Sequence, residues 1–286
     1  MIILQTTTLT EEQKFEVKQL LDKIQQVDES HRDPYLSNQF NKYPDMPCFF
    51  LRYENNILVG FAMIYADGAT DEPVEIYMNI LPEKRRTGIM THMLLLIKST
   101  LNQFGYKHIE YVTEANFLQK NLDFLGNLQL KIAHKEYQLR AQKPIKTPYI
   151  VDCIIRELQQ EDIEQVSQFQ AEAFEISIEE SKKYISESYN DPDTLTYVLQ
   201  KDADTIGYCA IDNNSEYYIF GLVIDYDYRN HGYGAYFIKQ LMMILDHIEH
   251  KPFVLGVDEN NVAARSLYAK IGFIEETEID YLVELK

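Results

Sequence analysis

The chain has 286 residues, of which 27 are basic and 45 are acidic, so its formal net charge at pH 7 is −18. A deficit of positive charge this large disfavours binding to nucleic acids and to anionic membranes, because both depend on clustered lysines and arginines. Apolar residues make up 45% of the chain and charged residues 25%. These values are typical of globular domains and exclude a disordered or collagen-like chain.

The sequence contains no apolar run near the roughly 18 residues of a membrane span, and its first residues show no basic leader before an apolar core. We therefore expect a cytoplasmic protein. Its three cysteines, Cys48, Cys153 and Cys209, are scattered and have no histidine nearby at metal-ligand spacing. This pattern predicts buried thiols, and it indicates neither a disulfide framework nor a metal site.

The length predicts about two domains of roughly 150 residues each. A polar, proline-bearing stretch at residues 141–148, near the middle of the chain, has the composition of a connector. We accordingly predict an N-terminal domain over residues 1–143 and a C-terminal domain over residues 151–286.

The first half opens with an apolar run at residues 2–4, then an acidic helical segment that starts at Thr10, then a pair of strands of which the second contains Gly60. An apolar strand at residues 75–82 leads into a basic turn, Arg85-Arg86-Thr87-Gly88, and an apolar helix. A further strand at residues 108–112 leads to Asn116, which we expect to open the next helix.

The second half repeats these features in the same order. Gly207 follows Gly60 by 147 positions, Arg229 and Gly232 follow Arg85 and Gly88 by 144, and Asn261 follows Asn116 by 145. A nearly constant offset across unlike motifs indicates a duplicated domain of about 145 residues rather than a short solenoid repeat. Each half is predicted as β-α-α-β-β-β-α-β-α-β, with residues 178–189 as the second helix of the C-terminal copy. The predicted fold class is α+β, layered α/β/α, with a mixed central sheet flanked by helices in each domain.

The turn Arg229-x-x-Gly232-x-Gly234 lies between a predicted strand and a predicted helix. Backbone N–H groups in such a turn, together with the helix N-terminus, favour a phosphate group, and Arg229 and His231 add local positive charge. By itself this pattern is also compatible with a purely structural turn.

A second motif follows in order: Asn261-x-x-Ala264-x-x-Leu267-Tyr268-x-x-x-Gly272-Phe273. It predicts a helix that starts at Asn261 and stops at Gly272. Together the two motifs resemble the GNAT superfamily of acyl-CoA-dependent N-acetyltransferases. The resemblance covers most of residues 151–286, and a weaker version covers residues 1–140, so the chain is similar to tandem GNAT proteins.

The resemblance implies that the cosubstrate is acetyl-CoA and that two strands of the C-terminal domain splay apart to admit its pantetheine arm. The amides of that arm would pair with the main chain of Leu222, Val223 and Ile224. The residues expected to hold the pyrophosphate are Arg229, Asn230, His231, Gly232, Tyr233 and Gly234. Asn261 would cap its helix and contact the cofactor or Tyr268.

In the family an amine attacks the thioester directly, and Tyr268 matches the residue that protonates the departing thiolate. The alternative is that Tyr268, one of 21 tyrosines, only packs its helix. The family often uses a glutamate near the start of the central strand as the base, and Glu216 is the nearest candidate. A solvated carboxylate at Glu216 is the alternative, and Asp225 is a second option for the base.

The N-terminal copy departs from the pattern at two places: Met90 stands at the last glycine position of the turn, and Asp123 stands where the tyrosine is expected. We therefore expect a non-catalytic copy that braces the active domain and contributes a wall of the acceptor cleft.

The sequence predicts an N-acetyltransferase that acts on a primary amine of a small molecule or peptide. An acidic surface would suit a cationic acceptor. A non-catalytic acyl-CoA-binding regulatory or scaffold protein is the alternative. The acceptor pocket is expected over residues 174–189 and part of the N-terminal half, and the oligomeric state is not predicted.

Overall fold

A computed structural model of the protein describes residues 3–144 and 152–285. The chain divides into two compact units, which we call the first and the second unit. The first unit consists of Met1–Glu136 together with Thr277–Lys286, and the second consists of Tyr137–Glu276. Residues 145–148 of the predicted connector lie outside the described residues.

The first unit contains strands and helices in an order that differs from the prediction around its second and last helices. Its elements are Ile3–Thr6 (β1), Glu11–Asp28 (α1), Phe49–Glu54 (β2), Ile57–Tyr65 (β3), Pro73–Ile80 (β4), Ile89–Gln103 (α2), His108–Glu114 (β5), Ala115–Lys120 (α3), Phe124–Leu128 (α4) and the first part of Leu130–Ala141 (β6).

The sheet of the first unit is mixed. Its strands follow the order β1-β2-β3-β4-β5, with antiparallel pairs except for β4 and β5, which are parallel. The apolar faces of α1 and α2 pack against this sheet in one core, to which Leu20, Ile24, Met93 and Ile97 contribute. This mixed sheet with packed helices confirms the predicted fold class for the first unit.

One predicted element is missing from the first unit. We expected two helices before the hairpin, but the described residues between α1 and β2 form no helix. Pro34, Pro44 and Pro47 lie in this segment. Proline cannot donate an intrahelical hydrogen bond and also disfavours helical geometry in the residue before it, so this stretch runs as irregular chain.

The second unit has both predicted helices. Its elements are Cys153–Glu157 (β7), Ile163–Phe174 (α5), Ile178–Asn190 (α6), Thr194–Lys201 (β8), Asp204–Asn213 (β9), Tyr217–Ile224 (β10), Tyr233–Ile248 (α7), Phe253–Asp258 (β11), Val262–Lys270 (α8) and the beginning of Ile274–Glu284 (β12).

The sheet of the second unit follows the order β7-β8-β9-β10-β11 and continues with the last part of β6. Neighbouring strands from β7 to β10 are antiparallel, and β10 and β11 are parallel. One core joins α7 and α8 to the sheet, and a separate core joins α5 and α6 to it. The second unit therefore also has the predicted mixed sheet with flanking helices.

The compact units differ from the predicted domains at the end of the chain. Residues 277–284 of β12 pair antiparallel with β5, for example Ile279 with Glu114 and Leu282 with Tyr111. Thr277 also donates a 2.7 Å hydrogen bond from its hydroxyl to the buried Glu114 carboxylate. Because these partners are in the first unit, the last ten residues belong to that unit.

All three cysteines are buried and unpaired, as predicted. Within residues 3–144 and 152–285, no helix combines the length and the apolar character that crossing a bilayer requires.

Candidate functional site

The central feature of the second unit is the divergence of β10 from β11. The two strands pair only at their beginnings, from Tyr217 opposite Phe253 to Ile219 opposite Leu255. Beyond Ile219, the ladder continues only on the β9 side of β10. Backbone groups on the β11 side are thereby left without a strand partner, and an extended ligand can use such an edge.

The predicted pantetheine partners Leu222, Val223 and Ile224 lie in this divergent segment. They follow a β-bulge, because the register with β9 shifts between Phe220 and Val223. Gly221 in the bulge has a φ of +61°, a conformation that costs glycine little and other residues more. The bulge redirects the main chain at the point where β10 has left β11.

The turn after β10 has the geometry expected of an anion-binding site. Asn230 and Gly232 both have left-handed backbone conformations, with φ of 65° and 83°. Gly232 caps the 16-residue helix α7, and Asn230, His231 and Gly232 are exposed. The N–H groups of the first helical turn are therefore accessible from solvent, next to the positive end of the helix dipole.

Arg229 is fixed at this turn through a single nitrogen. Its Nε donates a 2.8 Å hydrogen bond to the carbonyl of Ile224, and its guanidinium lies 5.5 Å from the ring centre of Tyr226. Among the residues that the structure describes, Arg229 has no carboxylate partner. Two terminal guanidinium nitrogens thus remain available for an anionic ligand.

Gly234 connects the turn to the second motif. A Cβ at Gly234 would stand 3.6 Å from the side chains of both Ile224 and Leu267. The end of β10, the start of α7 and the helix α8 therefore meet at this glycine. The ring of Tyr233 lies 6.3 Å from the ring of His231 and is half-buried.

Tyr268 lies in α8, one residue after Leu267, and is 9% exposed. Burial raises its pKa well above the usual value for tyrosine, and the neighbouring Cys209 contributes in the same direction. The phenol therefore keeps its proton at neutral pH. Asn261 caps α8, with its side-chain oxygen accepting a 3.1 Å hydrogen bond from the amide of Ala264.

Glu216 lies at the other end of β10, just before Tyr217. Its carboxylate forms a 2.8 Å ion pair with Arg140, which also binds Glu276. Glu216 and Gly221 are five positions apart, which at about 3.3 Å per strand residue is roughly 16 Å along the strand. The structure thus does not bring Glu216 to the bulge.

Two other carboxylates lie on or beside β10. Asp225 accepts a 3.1 Å hydrogen bond from the amide of Asp227 and so caps the short turn that follows the strand. Asp212 lies opposite Tyr218 on β9, and burial raises its pKa to about 6, with nearby acidic side chains adding to the effect. A carboxylate with a pKa near neutrality is suited to general base catalysis. Asp212 was not predicted from the sequence, because it belongs to no local motif.

The matching turn in the first unit differs in its charges. Arg85 also donates through Nε to a strand carbonyl, that of Ile80, at 3.2 Å. Its two terminal nitrogens, however, bind both carboxylate oxygens of the buried Asp28, at 2.8 and 2.5 Å. Lys84 is paired with Glu54 at 2.6 Å. Two of the three basic side chains of this turn are thereby neutralised within the unit.

A cavity of about 290 Å³ lies where β4 and β5 diverge in the first unit. Met90, Phe117 and Phe124 are among its mostly apolar lining residues. Asp123, at the position where a tyrosine is expected, is exposed, and Asn116 donates to the carbonyl of Glu29 instead of capping its helix. In this cleft, therefore, the arginine equivalent to Arg229 is held by a carboxylate, and the tyrosine of the second unit is replaced by Asp123.

Asp28 was not predicted from the sequence, because it belongs to no local motif. It is the last residue of α1, and the C-cap that follows it, Glu29, has a left-handed φ of 56°. Helix α5 ends in the same way, with Phe174 before the C-cap Glu175 at a φ of 55°. Phe174 therefore stands at the position of Asp28, and the second unit has no carboxylate there.

Both halves of the chain match one family model. The acetyltransferase (GNAT) family model matches residues 14–125 and residues 158–273, which together make up well over half of the chain. This confirms the resemblance stated from the two motifs. No match to the chain was found among curated proteins.

Solved structures share the fold over nearly the whole length. A GCN5-related N-acetyltransferase from Sphaerobacter thermophilus has a TM-score of 0.74 at 12% identity, covering 99% of this chain and 97% of its own. A tandem GNAT protein from the clavulanic acid biosynthesis pathway has a TM-score of 0.71 at 13% identity, covering 98% and 97%. A GNAT-family acetyltransferase from Colwellia psychrerythraea has a TM-score of 0.61 at 13% identity, covering 99% and 100%. At these identities the similarity concerns the fold.

Proposed function

Since the chain belongs to the acetyltransferase (GNAT) family, we propose that its second unit transfers an acetyl group from acetyl-CoA to a primary amine. One observation carries the assignment to the second unit. Arg229 has no carboxylate partner among the described residues, whereas the matching Arg85 is held on both terminal nitrogens by Asp28. Only the former can bind a diphosphate without first breaking a buried ion pair.

In this proposal the divergent segment of β10 receives the pantetheine arm, and the turn of residues 229–234 holds the diphosphate. Tyr268 gives its proton to the thiolate that leaves. A free thiol has a pKa near 8.5, below that of a buried phenol, so the transfer requires Tyr268 to lie next to the sulfur as the carbon–sulfur bond breaks. Asn261 supports this helix as its N-cap.

Two carboxylates near the start of β10 are candidates for the base. Glu216 remains the proposed base, and it would act through water because of its distance from the bulge. Asp212 lies at the same end of the sheet and has a pKa of about 6. Comparison of Glu216→Gln with Asp212→Asn in the same assay distinguishes the two carboxylates.

The acceptor in this proposal is a cationic amine. The formal net charge of −18 supports this class, since an acidic surface attracts cations from solution. Helix α6, within the predicted acceptor region, carries Glu179 and Glu180 in its first turn.

The test is an assay of thiol release from acetyl-CoA with a panel of mono- and polyamines, in which the wild type is compared with Tyr268→Phe. We expect a loss of turnover of at least tenfold with an unchanged affinity for CoA, because only the proton donor is removed. Tyr197→Phe is the matched control, since Tyr197 is a buried tyrosine in the same core.

Unchanged turnover in Tyr268→Phe would rule out Tyr268 as the acid. If the wild type binds CoA but modifies no amine, the result favours a non-catalytic acyl-CoA-binding protein.

A further inference from the structure

Gln170 is a buried polar residue of α5 in the second unit, with 6% of its surface exposed. Its side-chain oxygen accepts a 2.7 Å hydrogen bond from the hydroxyl of Ser181, a fully buried residue of α6. With the oxygen of the amide on Ser181, the NH2 group of Gln170 faces away from Ser181.

That NH2 group faces the bulge of β10. Its nitrogen would lie 3.5 Å from a Cβ built on Gly221, the residue of the bulge with positive φ. This nitrogen forms no hydrogen bond with residues 3–144 and 152–285, and it keeps some exposure to solvent. It can therefore donate a hydrogen bond to a ligand that replaces water at the bulge.

The position of Gly221 determines which ligand can be reached. It follows Phe220, the first residue of β10 beyond the ladder with β11, and precedes the segment proposed to bind pantetheine. An NH2 group donates and cannot accept, so it cannot bind an ammonium group. In acyl transfer, the oxygen atom that gains negative charge is the thioester carbonyl.

We propose that Gln170 donates a hydrogen bond from Nε2 to the thioester carbonyl oxygen and stabilises the oxyanion formed during transfer. This inference rests on the function proposed above. The amine lone pair forms the new carbon–nitrogen bond, and the carbonyl π pair moves onto oxygen. That pair returns as the carbon–sulfur bond breaks, the sulfur takes a proton from Tyr268, and the nitrogen loses a proton to the base. Ser181 is a positioning residue, because it acts only by orienting Gln170.

The experiment measures steady-state kinetics and unfolding for Gln170→Met, Ser181→Ala and the control Gln240→Met. Gln240 is a glutamine of α7 that is 1% exposed, so its replacement also removes a buried amide of the same size. For Gln170→Met we expect kcat and kcat/KM to fall together by about 10²–10³-fold, with the KM of each substrate within about threefold of wild type. Ser181→Ala is expected to lower kcat by about tenfold, and Gln240→Met to leave it unchanged.

A KM effect limited to the acceptor would overturn the proposal, because it would show that Gln170 binds the amine substrate. An unchanged kcat with a lowered stability would also overturn it and would leave Gln170 as a link between α5 and α6.

A binding measurement tests the same hydrogen bond without turnover. By calorimetry, the wild type is expected to bind acetyl-CoA more tightly than CoA, and Gln170→Met is expected to lose this preference while keeping its affinity for CoA. If wild type and Gln170→Met prefer acetyl-CoA over CoA to the same extent, the result contradicts the role of Gln170. A wild type that binds neither compound instead contradicts the proposed function itself.

Discussion

At the scale of single residues, the neighbours of two arginines determine which turn can bind an anion. Arg85 and Arg229 occupy equivalent positions, and each fixes its Nε on the last carbonyl of a strand. They differ in Asp28, whose carboxylate is 4% exposed and fully engaged by Arg85. One acidic residue at the end of one helix thus changes the ligand-binding capacity of a duplicated turn.

This difference predicts opposite outcomes for two matched substitutions. Arg229→Ala should weaken CoA binding by roughly tenfold or more, because a charge-assisted hydrogen bond to phosphate is lost. Arg85→Ala should leave the affinity for CoA within about twofold of the wild-type value. It should lower the free energy of unfolding by about 3 kcal/mol, because Asp28 would be buried without a partner.

Isothermal titration calorimetry and urea unfolding measure both effects. The calorimetric stoichiometry for the wild type is expected to be one CoA per chain. Two bound CoA per chain, or an equal loss of affinity in the two variants, would contradict the assignment of the site to the second unit.

Site residues could be predicted from the sequence only where they belong to a local motif. Arg229, Gly234 and Tyr268 were identified because each belongs to a local pattern, and the structure brings the regions around them together. Asp28 and Gln170 have no local pattern. Asp28 matters because of Arg85, which is 57 positions away in the sequence. Gln170 matters because of Gly221, which lies in a separate strand.

At the scale of elements, the paired strands β9 and β10 set the path of the segment that is proposed to bind pantetheine. Gly207 on β9 lies opposite Ile224 on β10. A Cβ at Gly207 would stand 2.8 Å from Cδ1 of Ile224 and 3.2 Å from the carbonyl oxygen of Val223. Gly60, the matching glycine of the first half, faces Ile80 in the same way, at 2.9 Å.

We therefore expect Gly207→Ala to lower the free energy of unfolding by about 1–3 kcal/mol, because the extra methyl group must displace the Ile224 side chain and crowds the carbonyl of Val223. The control is Gly126→Ala in α4, where a Cβ would meet no atom within 4 Å. There the substitution should be neutral or stabilising by up to about 1 kcal/mol, since alanine favours helix. Urea unfolding of both variants measures the difference, and equal effects would contradict the close approach at Gly207.

The elements themselves were mostly predictable, with one instructive exception. The glycine turns followed by apolar helices, and the asparagine that caps α8, follow from local chemistry. The second helix predicted before the hairpin exists in the second unit, as α6 with its Ser177–Glu180 capping box. For the first unit, the same helix was predicted by extending the duplicated pattern. The segment concerned contains three prolines, which disfavour a helix, and it forms none.

At the scale of the whole molecule, the grouping of residues into units does not follow chain order. The pairing of β12 with β5 adds residues 277–286 to the first unit. No sequence pattern predicted this, because the sequence of β12 does not specify which strand it pairs with. Hydrogen bonds between distant residues, such as the one between Thr277 and Glu114, select the partner.

We predict that a chain ending at Glu276 loses stability mainly in the first unit. Removal of β12 leaves Glu114 without its hydroxyl donor and removes Ile279 and Leu282 from contact with the sheet. Hydrogen exchange should show loss of protection in β5, while β8 and β9 keep theirs. A chain ending at Glu284 retains the strand and is the control, and loss of protection in β8 and β9 instead of β5 would refute the grouping.

The grouping of the final strand has a consequence for how the protein is made. A ribosome releases the residues of β1 to β5 long before it has synthesised residues 277–284. The side of β5 therefore stays uncovered until residues 277–284 have been synthesised. An expression fragment cut at the middle of the sequence would carry the same uncovered strand, and strand edges of that kind promote aggregation.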